Sequence, residues 1–247
     1  MKHIPVVAHR GLSRLYPENT LSSVLGALDA GLDKVEIDIQ MSADGVPVVH
    51  HDADLLRMSG RGGDLRKRSW AQLKKIYVGE PGRFGSYYAQ EKLCSLRQLA
   101  LALTSYGPFT LFVELKEESL IPFGREAMLA AVAEALQPIH QRCVLISFDI
   151  KVLQLARRDT RFPLGVVLRN VKQLKGSEVK QLKPEWIFCD HALVPKTGAL
   201  RAIFGASKTC VYEVPQVDRA RALLKRGIHA LETFKGDSLA QELAVYR

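Results

Sequence analysis

Two carboxylates stand two residues apart in Glu36-Ile37-Asp38. In a strand they share a face. On a buried face they would repel each other and lose hydration unless a cation lay between them. Hard oxygen donors of this kind suit Mg²⁺ or Ca²⁺. Glu114 stands near the end of the apolar run Leu111-Phe112-Val113-Glu114-Leu115, on the same strand face as Lys116. It offers a third carboxylate at a strand end, open to water and substrate. Glu36, Asp38 and Glu114 are thus the candidate cation ligands. Taken singly, each also fits a plainer role: a solvated pair on a half-exposed strand, or a Glu–Lys pair at a rim.

His9-Arg10-Gly11 closes one apolar run and His51-Asp52 closes another. An imidazole near neutrality can give or take a proton. Two of them flanking a bound phosphate would supply a base and an acid. We read His9 as base and His51 as acid, with the reverse left open. Arg10 can fork onto phosphate oxygens and Lys116 can add a point charge. His50 should alternate away from His51, and His3, His140, His191 and His229 read as structural or surface residues. Pro17-Glu18-Asn19-Thr20 looks like a helix start, with Asn19 or Thr20 as the cap. A helix start favours an anion; a ligand role for Glu18 is left open.

These residues need strands to hold them. β-rich runs fall at Val6–Ala8, Val35–Gln40, Thr110–Leu115, Cys143–Phe148, Leu164–Leu168, Trp186–Cys189, Cys210–Val214 and Ala230–Thr233. Amphipathic segments lie between most of them: Asn19–Ala30, Arg125–Leu136, Lys151–Arg158, Val171–Lys180, Thr197–Phe204 and Val217–Arg226. Such alternation implies parallel strands with helical crossovers. Eight strands in 247 residues predict an α/β TIM-like (β/α)₈ barrel, with its site at the C-terminal strand ends. An open doubly wound sheet is the second choice. Asp44-Gly45 is a hairpin turn signal, so an antiparallel hairpin should follow the second strand and set His51 opposite Glu36 or Asp38. Residues 57–95, rich in Gly, Arg, Lys and Tyr and with a helix around Trp70–Ile76, read as a small insertion at the barrel mouth of a single domain, 1–247.

Composition narrows the class. Hydrophobic residues are 47% and charged residues 25%, values ordinary for a globular chain. Cys94, Cys143, Cys189 and Cys210 form no C-x-x-C pair, which removes zinc-ribbon and thioredoxin-like readings. No run of about 18 apolar residues would span a membrane, and Met1–Arg10 has no apolar signal region. A reducing, cytoplasmic setting is expected. The formal charge of +9 suits an anionic partner. Nucleic acid is not expected, because no binding motif accompanies the charge. Oligomeric state is left open.

Together these pieces resemble the glycerophosphodiester phosphodiesterase family. The resemblance rests on Ala8-His9-Arg10-Gly11, Pro17-Glu18-Asn19-Thr20, Glu36-Ile37-Asp38-Ile39, the stretch from Asp44-Gly45-Val46-Pro47 to His50-His51-Asp52, Glu114-Leu115-Lys116 and Ser147-Phe148-Asp149. It is dense in the first half of the chain and looser in the second. It implies a TIM barrel hydrolysing glycerophosphodiesters to an alcohol and glycerol 3-phosphate. It also implies a divalent cation on Glu36, Asp38 and Glu114, an acid–base pair in His9 and His51, and phosphate held by Arg10 and Lys116. Two departures fall near the C-terminus. Tyr212-Glu213-Val214-Pro215 stands where the family often has Trp-Thr-Val-Asn, and Thr233-Phe234 where it often has Thr-Asp. Tyr212 can still wall the substrate pocket, and Glu213 would suit a cationic or hydroxyl group.

Two other functions compete. A lysophospholipase D-like phosphodiesterase would need an apolar groove, toward which Phe84, Tyr87 and Tyr88 point. A catalytically silent phosphate-binding barrel is disfavoured by the two histidines and three carboxylates. Arg61, Arg66, Lys67 and Arg68 would draw an anionic substrate to the insertion, and Tyr87 and Tyr88 would enclose its alcohol group, with Tyr212 and Phe234 completing the wall.

Overall fold

The computed structural model describes residues 5–196 and 200–244, the side chains of Arg201 and Ala202 excepted; His3 and Thr197 lie outside the described residues. Nine strands form one sheet: β1 Val6–Ala8, β2 Lys34–Met41, β3 Pro47–Val49, β4 Thr110–Leu115, β5 Cys143–Ser147, β6 Leu164–Leu168, β7 Trp186–Asp190, β8 Lys208–Tyr212 and β9 Ala230–Thr233. Eight of them are parallel and run in the order β1-β9-β8-β7-β6-β5-β4-β2, and the pairing of β1 with β2 closes the ring. The result is a TIM barrel with helices between its strands. β3 lies outside the ring, antiparallel to β2.

Strand alternation divides the side chains. Val35, Ile37 and Ile39 of β2, with Leu111, Val113 and Leu115 of β4, pack outward in the large core between barrel and helices. Their alternates point into the ring. Low in the barrel these are apolar: Phe112 meets Trp186 and Phe188 edge to face, with its ring centroid 5.0 Å from both partners. A Cβ on Gly165 would lie 2.8 Å from Ile146 Cγ2, so only glycine leaves room for this packing. Burying a ring such as Phe112 stabilises by about 1.5–3 kcal/mol. At the upper end the inward positions are Glu36, Asp38, Glu114 and Glu232, and the apolar layer beneath them excludes water from below.

The hairpin forms about Gly45, whose φ is 79°. Ser42 N donates to Val46 O at 3.0 Å and Gly45 N to Ser42 O at 3.0 Å. The resulting register pairs Ile39 with Val49, and His50 N donates to Asp38 O at 3.0 Å. His50, not His51, is therefore the residue opposite Asp38, and His51 lies past the strand end. Within the insertion, short helices at Leu56–Ser59, Trp70–Leu73 and Pro81–Phe84 gather Leu55, Met58, Leu65, Leu73, Val78 and Leu93 against Val48 in a small core of their own.

Other differences are local. Helices at Leu96–Ala102, Glu117–Phe123 and Gly236–Ala244 were not expected. Val171–Lys180 breaks into a 3₁₀ turn, Val171–Lys175, and a helix, Ser177–Leu182, at Gly176. The first helix starts at Leu21 because Thr20 caps it: Thr20 Oγ1 accepts from Ser23 N and Ser23 Oγ from Thr20 N, both at 3.1 Å. No helix among the described residues is long and apolar enough to cross a membrane.

Candidate active site

β2 and β4 pair so that Asp38 lies beside Glu114. Oxygens of Glu36, Asp38 and Glu114 come within 4.8 Å of one another, and Glu36 and Asp38 are each 2% exposed. Each carboxylate is held differently. Asp38 is clamped: Asn19 Nδ2 donates to it at 2.8 Å, Arg10 Nε approaches to 3.2 Å and Lys116 Nζ to 3.3 Å, while Asp38 N donates to Asn19 Oδ1 at 3.0 Å. Arg10 and Asn19 both adopt left-handed backbone, φ 57° and 55°, which turns these side chains toward the strand end. Burial pushes the Asp38 carboxyl up, but Lys116, Arg10, His51 and Asn19 outweigh it and hold it far below the usual range.

Glu36 and Glu114 are poorer in partners. Glu36 Oε2 accepts from Arg10 N at 3.1 Å, whereas Oε1 is buried with no hydrogen bond. Burial first, then Asp38 and the neighbouring carboxylates Glu232 and Glu114, push Glu36 well above the usual range. Glu114 accepts from Lys116 Nζ at 3.0 Å, yet burial and Asp38 still leave it raised. An orphaned buried oxygen among three crowded oxygen-donor groups fits a hard divalent cation, whose charge would relieve both the repulsion and the desolvation.

Each histidine has a carboxylate at Nδ1. His9 Nδ1 lies 3.0 Å from Glu213 Oε2, and Glu213 Oε1 accepts from Thr233 Oγ1 at 2.6 Å and Phe234 N at 3.1 Å. Phe234 stacks on the imidazole, centroids 4.3 Å apart and 9° between planes. His51 Nδ1 lies 2.6 Å from Asp52 Oδ1, and Arg57 Nε donates to Asp52 Oδ2 at 2.8 Å. Arg57 also pairs with Glu18 at 2.7 Å, and Glu18 with Arg10 at 2.8 Å. Glu18 is thus a brace between two arginines. With Nδ1 committed to a carboxylate, each ring offers Nε2 for chemistry. His9 Nε2 stands 4.0 Å from both Glu36 and Glu232.

The two environments differ. Burial alone would lower His9, but Glu232 and Glu213 more than offset it and raise it above the ordinary value. Burial lowers His51, and Lys116 and Arg10 hold it down against Asp38 and Asp52. Between the histidines lies a cleft that includes Arg10, Asp38, Glu114 and Lys116 on one side and Phe148, Val167, Phe188 and Tyr212 on the other. Charge gathers on the β1–β2–β4 side and apolar surface on the β5–β8 side, a division that suits a phosphate joined to an uncharged group.

All eight sequence-derived site residues meet here: His9, Arg10, Glu36, Asp38, His51, Glu114, Lys116 and Tyr212. No residue of 57–95 lines this cleft; the insertion reaches it through Arg57. Tyr88 is engaged elsewhere, donating its hydroxyl to Leu15 O at 2.6 Å. Glu213 faces His9, so its carboxylate is committed to the imidazole rather than to a cationic or hydroxyl group. Glu232, 3% exposed and with its carboxyl pushed up to about 7 by burial, was missed. A carboxylate inside the apolar run Ala230-Leu231-Glu232-Thr233 was the available signal.

Residues 9–233 match the glycerophosphoryl diester phosphodiesterase family. A glycerophosphodiester phosphodiesterase of Caldanaerobacter subterraneus subsp. tengcongensis is 30% identical over 145 residues, 58% of this chain and 58% of that protein. Human glycerophosphodiester phosphodiesterase 1 is 32% identical over 158 residues, 64% of this chain and 46% of that protein. The chain thus spans about half the length of the curated relatives it matches. Among solved structures, an Oleispira antarctica phosphodiesterase in complex with the product sn-glycerol-3-phosphate superposes with a TM-score of 0.86 at 26% identity, covering 97% of this chain and 96% of that one. A Silicibacter pomeroyi structure shares the fold at 22% identity and a TM-score of 0.83, covering 98% of this chain and 93% of that one. With the family match running from His9 to the end of the last strand, the chain belongs to the glycerophosphoryl diester phosphodiesterase family.

Proposed function

We propose that this chain hydrolyses glycerophosphodiesters to an alcohol and glycerol 3-phosphate, using a divalent cation, Mg²⁺ or Ca²⁺, and the pair His9 and His51. One observation supports this above the rest. Two histidines, each with a carboxylate at Nδ1, line one cleft with Asp38 and Glu114, and Glu36 completes a cluster of three carboxylates with these two. The solved relative that holds sn-glycerol-3-phosphate matches this chain over nearly its full length.

Glu36, Asp38 and Glu114 would hold the cation, with the unpartnered Glu36 Oε1 free to ligate. When bound, it would supply positive charge to a phosphate oxygen. The chain's own groups do the rest. Arg10 and Lys116 attract and orient the phosphate. The apolar wall of Phe148, Val167, Phe188 and Tyr212 sets the side on which the organic group rests. Cleavage needs a proton taken from the attacking oxygen and one given to the departing oxygen. In the cation-free protein His9 holds its proton more tightly than His51, an order that suits a donor and an acceptor. That order, His51 as base and His9 as acid, is the alternative left open for the two residues.

The test is product identification. Purified protein with divalent cation is given glycerophosphocholine, glycerophosphoethanolamine, glycerophosphoglycerol and a lysophosphatidylcholine, and products are followed by ³¹P NMR. Glycerol 3-phosphate from the first three supports the reading. Preferential lysophosphatidic acid formation from the lysolipid would replace it with the lysophospholipase D-like one.

A further inference from the structure

The insertion holds charge that the catalytic cleft does not use. Residues 57–95 contain nine Lys or Arg against three Asp or Glu, net +6 of the chain's +9. All three acids are engaged: Asp64 with Arg66 at 2.9 Å, Glu80 with Arg83 at 3.0 Å, and Glu91 with the Ser22 hydroxyl at 2.6 Å. Arg57 is spent on Asp52 and Glu18. Six basic residues remain, Arg61, Lys67, Arg68, Lys74, Lys75 and Lys92, and of these Arg61, Arg68 and Lys75 come together. Their side chains make no ion pair and no hydrogen bond among the described residues, and all three line one cleft with Ser59 and Tyr77 over Leu55.

This cleft is built rather than left over. A Cβ on Gly63 would lie 2.6 Å from an Arg68 guanidinium nitrogen, so the guanidinium rests against bare backbone at a position whose φ of 136° suits glycine. Arg68 O accepts from Ala43 N at 2.9 Å, which ties its backbone to the β2–β3 hairpin. Ser59 Oγ accepts from Arg61 N at 3.1 Å and fixes the turn that presents Arg61. Lys92 lies over the Tyr77 ring at 5.3 Å and adds positive charge beside the cleft. Like charges converging on one space repel unless an anion joins them.

We propose that this cleft binds a phosphate group, at a site separate from the catalytic one. Two guanidinium forks and an ammonium match a phosphate's oxygens, and the Tyr77 hydroxyl can add a donor. None of its residues lines the cleft around His9 and His51. The short helix Leu56–Ser59 lies between the two sites, Arg57 holding Asp52 behind His51 and Ser59 lining the second cleft. The phosphate belongs to a soluble ion or to a lipid headgroup, which share this chemistry.

Titration calorimetry of the full chain against inorganic phosphate tests the site, and is run in chelator. Without a cation, the carboxylates of Glu36, Asp38 and Glu114 oppose a phosphate beside Arg10 and Lys116, which weakens binding in that cleft. One phosphate per chain is expected, with affinity lowered about tenfold or more in Arg61→Gln/Arg68→Gln. Circular dichroism checks that the variant folds, and Lys75→Gln, a lone exposed change, repeats the test if it does not. A second arm measures co-sedimentation with phosphatidylcholine vesicles, with and without phosphatidic acid. Phosphate binding that the variant loses supports a soluble ligand. Binding confined to phosphatidic acid vesicles and lost in the variant supports a headgroup. Binding in neither arm, or binding the variants leave unchanged, overturns the proposal.

Discussion

Replacing Glu232 by Gln should stabilise the cation-free protein, and more so as pH rises. Glu232 is 3% exposed and sits near Glu36, Glu114 and Asp38, with its carboxyl pushed up to about 7 from an ordinary 4.5. The sign follows from where the proton sits. In the unfolded chain Glu232 loses its proton near 4.5; in the folded chain it keeps it until about 7. Between those values the folded state binds more protons than the unfolded one, so stability falls as pH rises. At pH 8 the folded carboxylate is ionised at a penalty of about 3 kcal/mol, the 2.5-unit difference at about 1.36 kcal/mol per unit. Gln removes that penalty. For a chain of 247 residues this corresponds to a rise in Tm of about 6–12 °C at pH 8, against little difference at pH 5. Differential scanning calorimetry of both proteins in chelator, at steps from pH 5 to 8, measures it. Comparison with the variant cancels the opposing contributions of His50, His51 and His229, whose proton affinities burial lowers. A difference that stays constant with pH, or a variant less stable than the parent at pH 8, would refute the picture of an over-crowded carboxylate cluster.

Other outcomes follow from the same geometry. His9→Ala and His51→Ala should each lower turnover by about 10² to 10⁴ with melting temperatures near the parent's, and near-normal steady-state rates in both would reject their acid–base roles. Glu213→Ala removes the carboxylate at His9 Nδ1 and should lower kcat about tenfold to a hundredfold with KM little changed. Glu213→Gln, which keeps an acceptor, should recover part of that loss, and an Ala variant with parental kcat would show that Glu213 only joins β8 to β9. The four cysteines are buried, and burial pushes the thiols of Cys94, Cys143 and Cys189 up to about 12. A thiol reagent should therefore label none in the native state at neutral pH and all four in denaturant, as mass spectrometry would read directly.

The strands were legible because a parallel barrel buries both faces, leaving continuous apolar runs between polar breaks. Val6–Ala8, Thr110–Leu115, Leu164–Leu168 and Ala230–Thr233 carry that pattern with the observed bounds. Helices were less legible. Glu117–Phe123 contains Pro122, and Leu96–Ala102 is short, although Ser95 and Gln98 spell out its capping box. The carboxylate cluster showed through since two of its members, Glu36 and Asp38, lie two residues apart on one strand and the third, Glu114, lies near the end of another apolar run. The partners of His9 stayed hidden for a topological reason. Glu213 and Glu232 reach it only because β9 lies between β8 and β1 when the ring closes, a pairing that joins positions more than 200 residues apart. His51 was placed one residue out of register because its strand ends at Val49, short of the histidines.

The central claim is that a cation held by Glu36, Asp38 and Glu114 works with His9 and His51 on a glycerophosphodiester. The most direct test is the rate of glycerol 3-phosphate release from glycerophosphocholine, measured before chelation, after exhaustive chelation, and after Mg²⁺ or Ca²⁺ is restored, with Glu36→Gln alongside. Release that disappears on chelation, returns with one of these ions and stays low in the variant is the predicted result. Full release from the exhaustively chelated protein would contradict it.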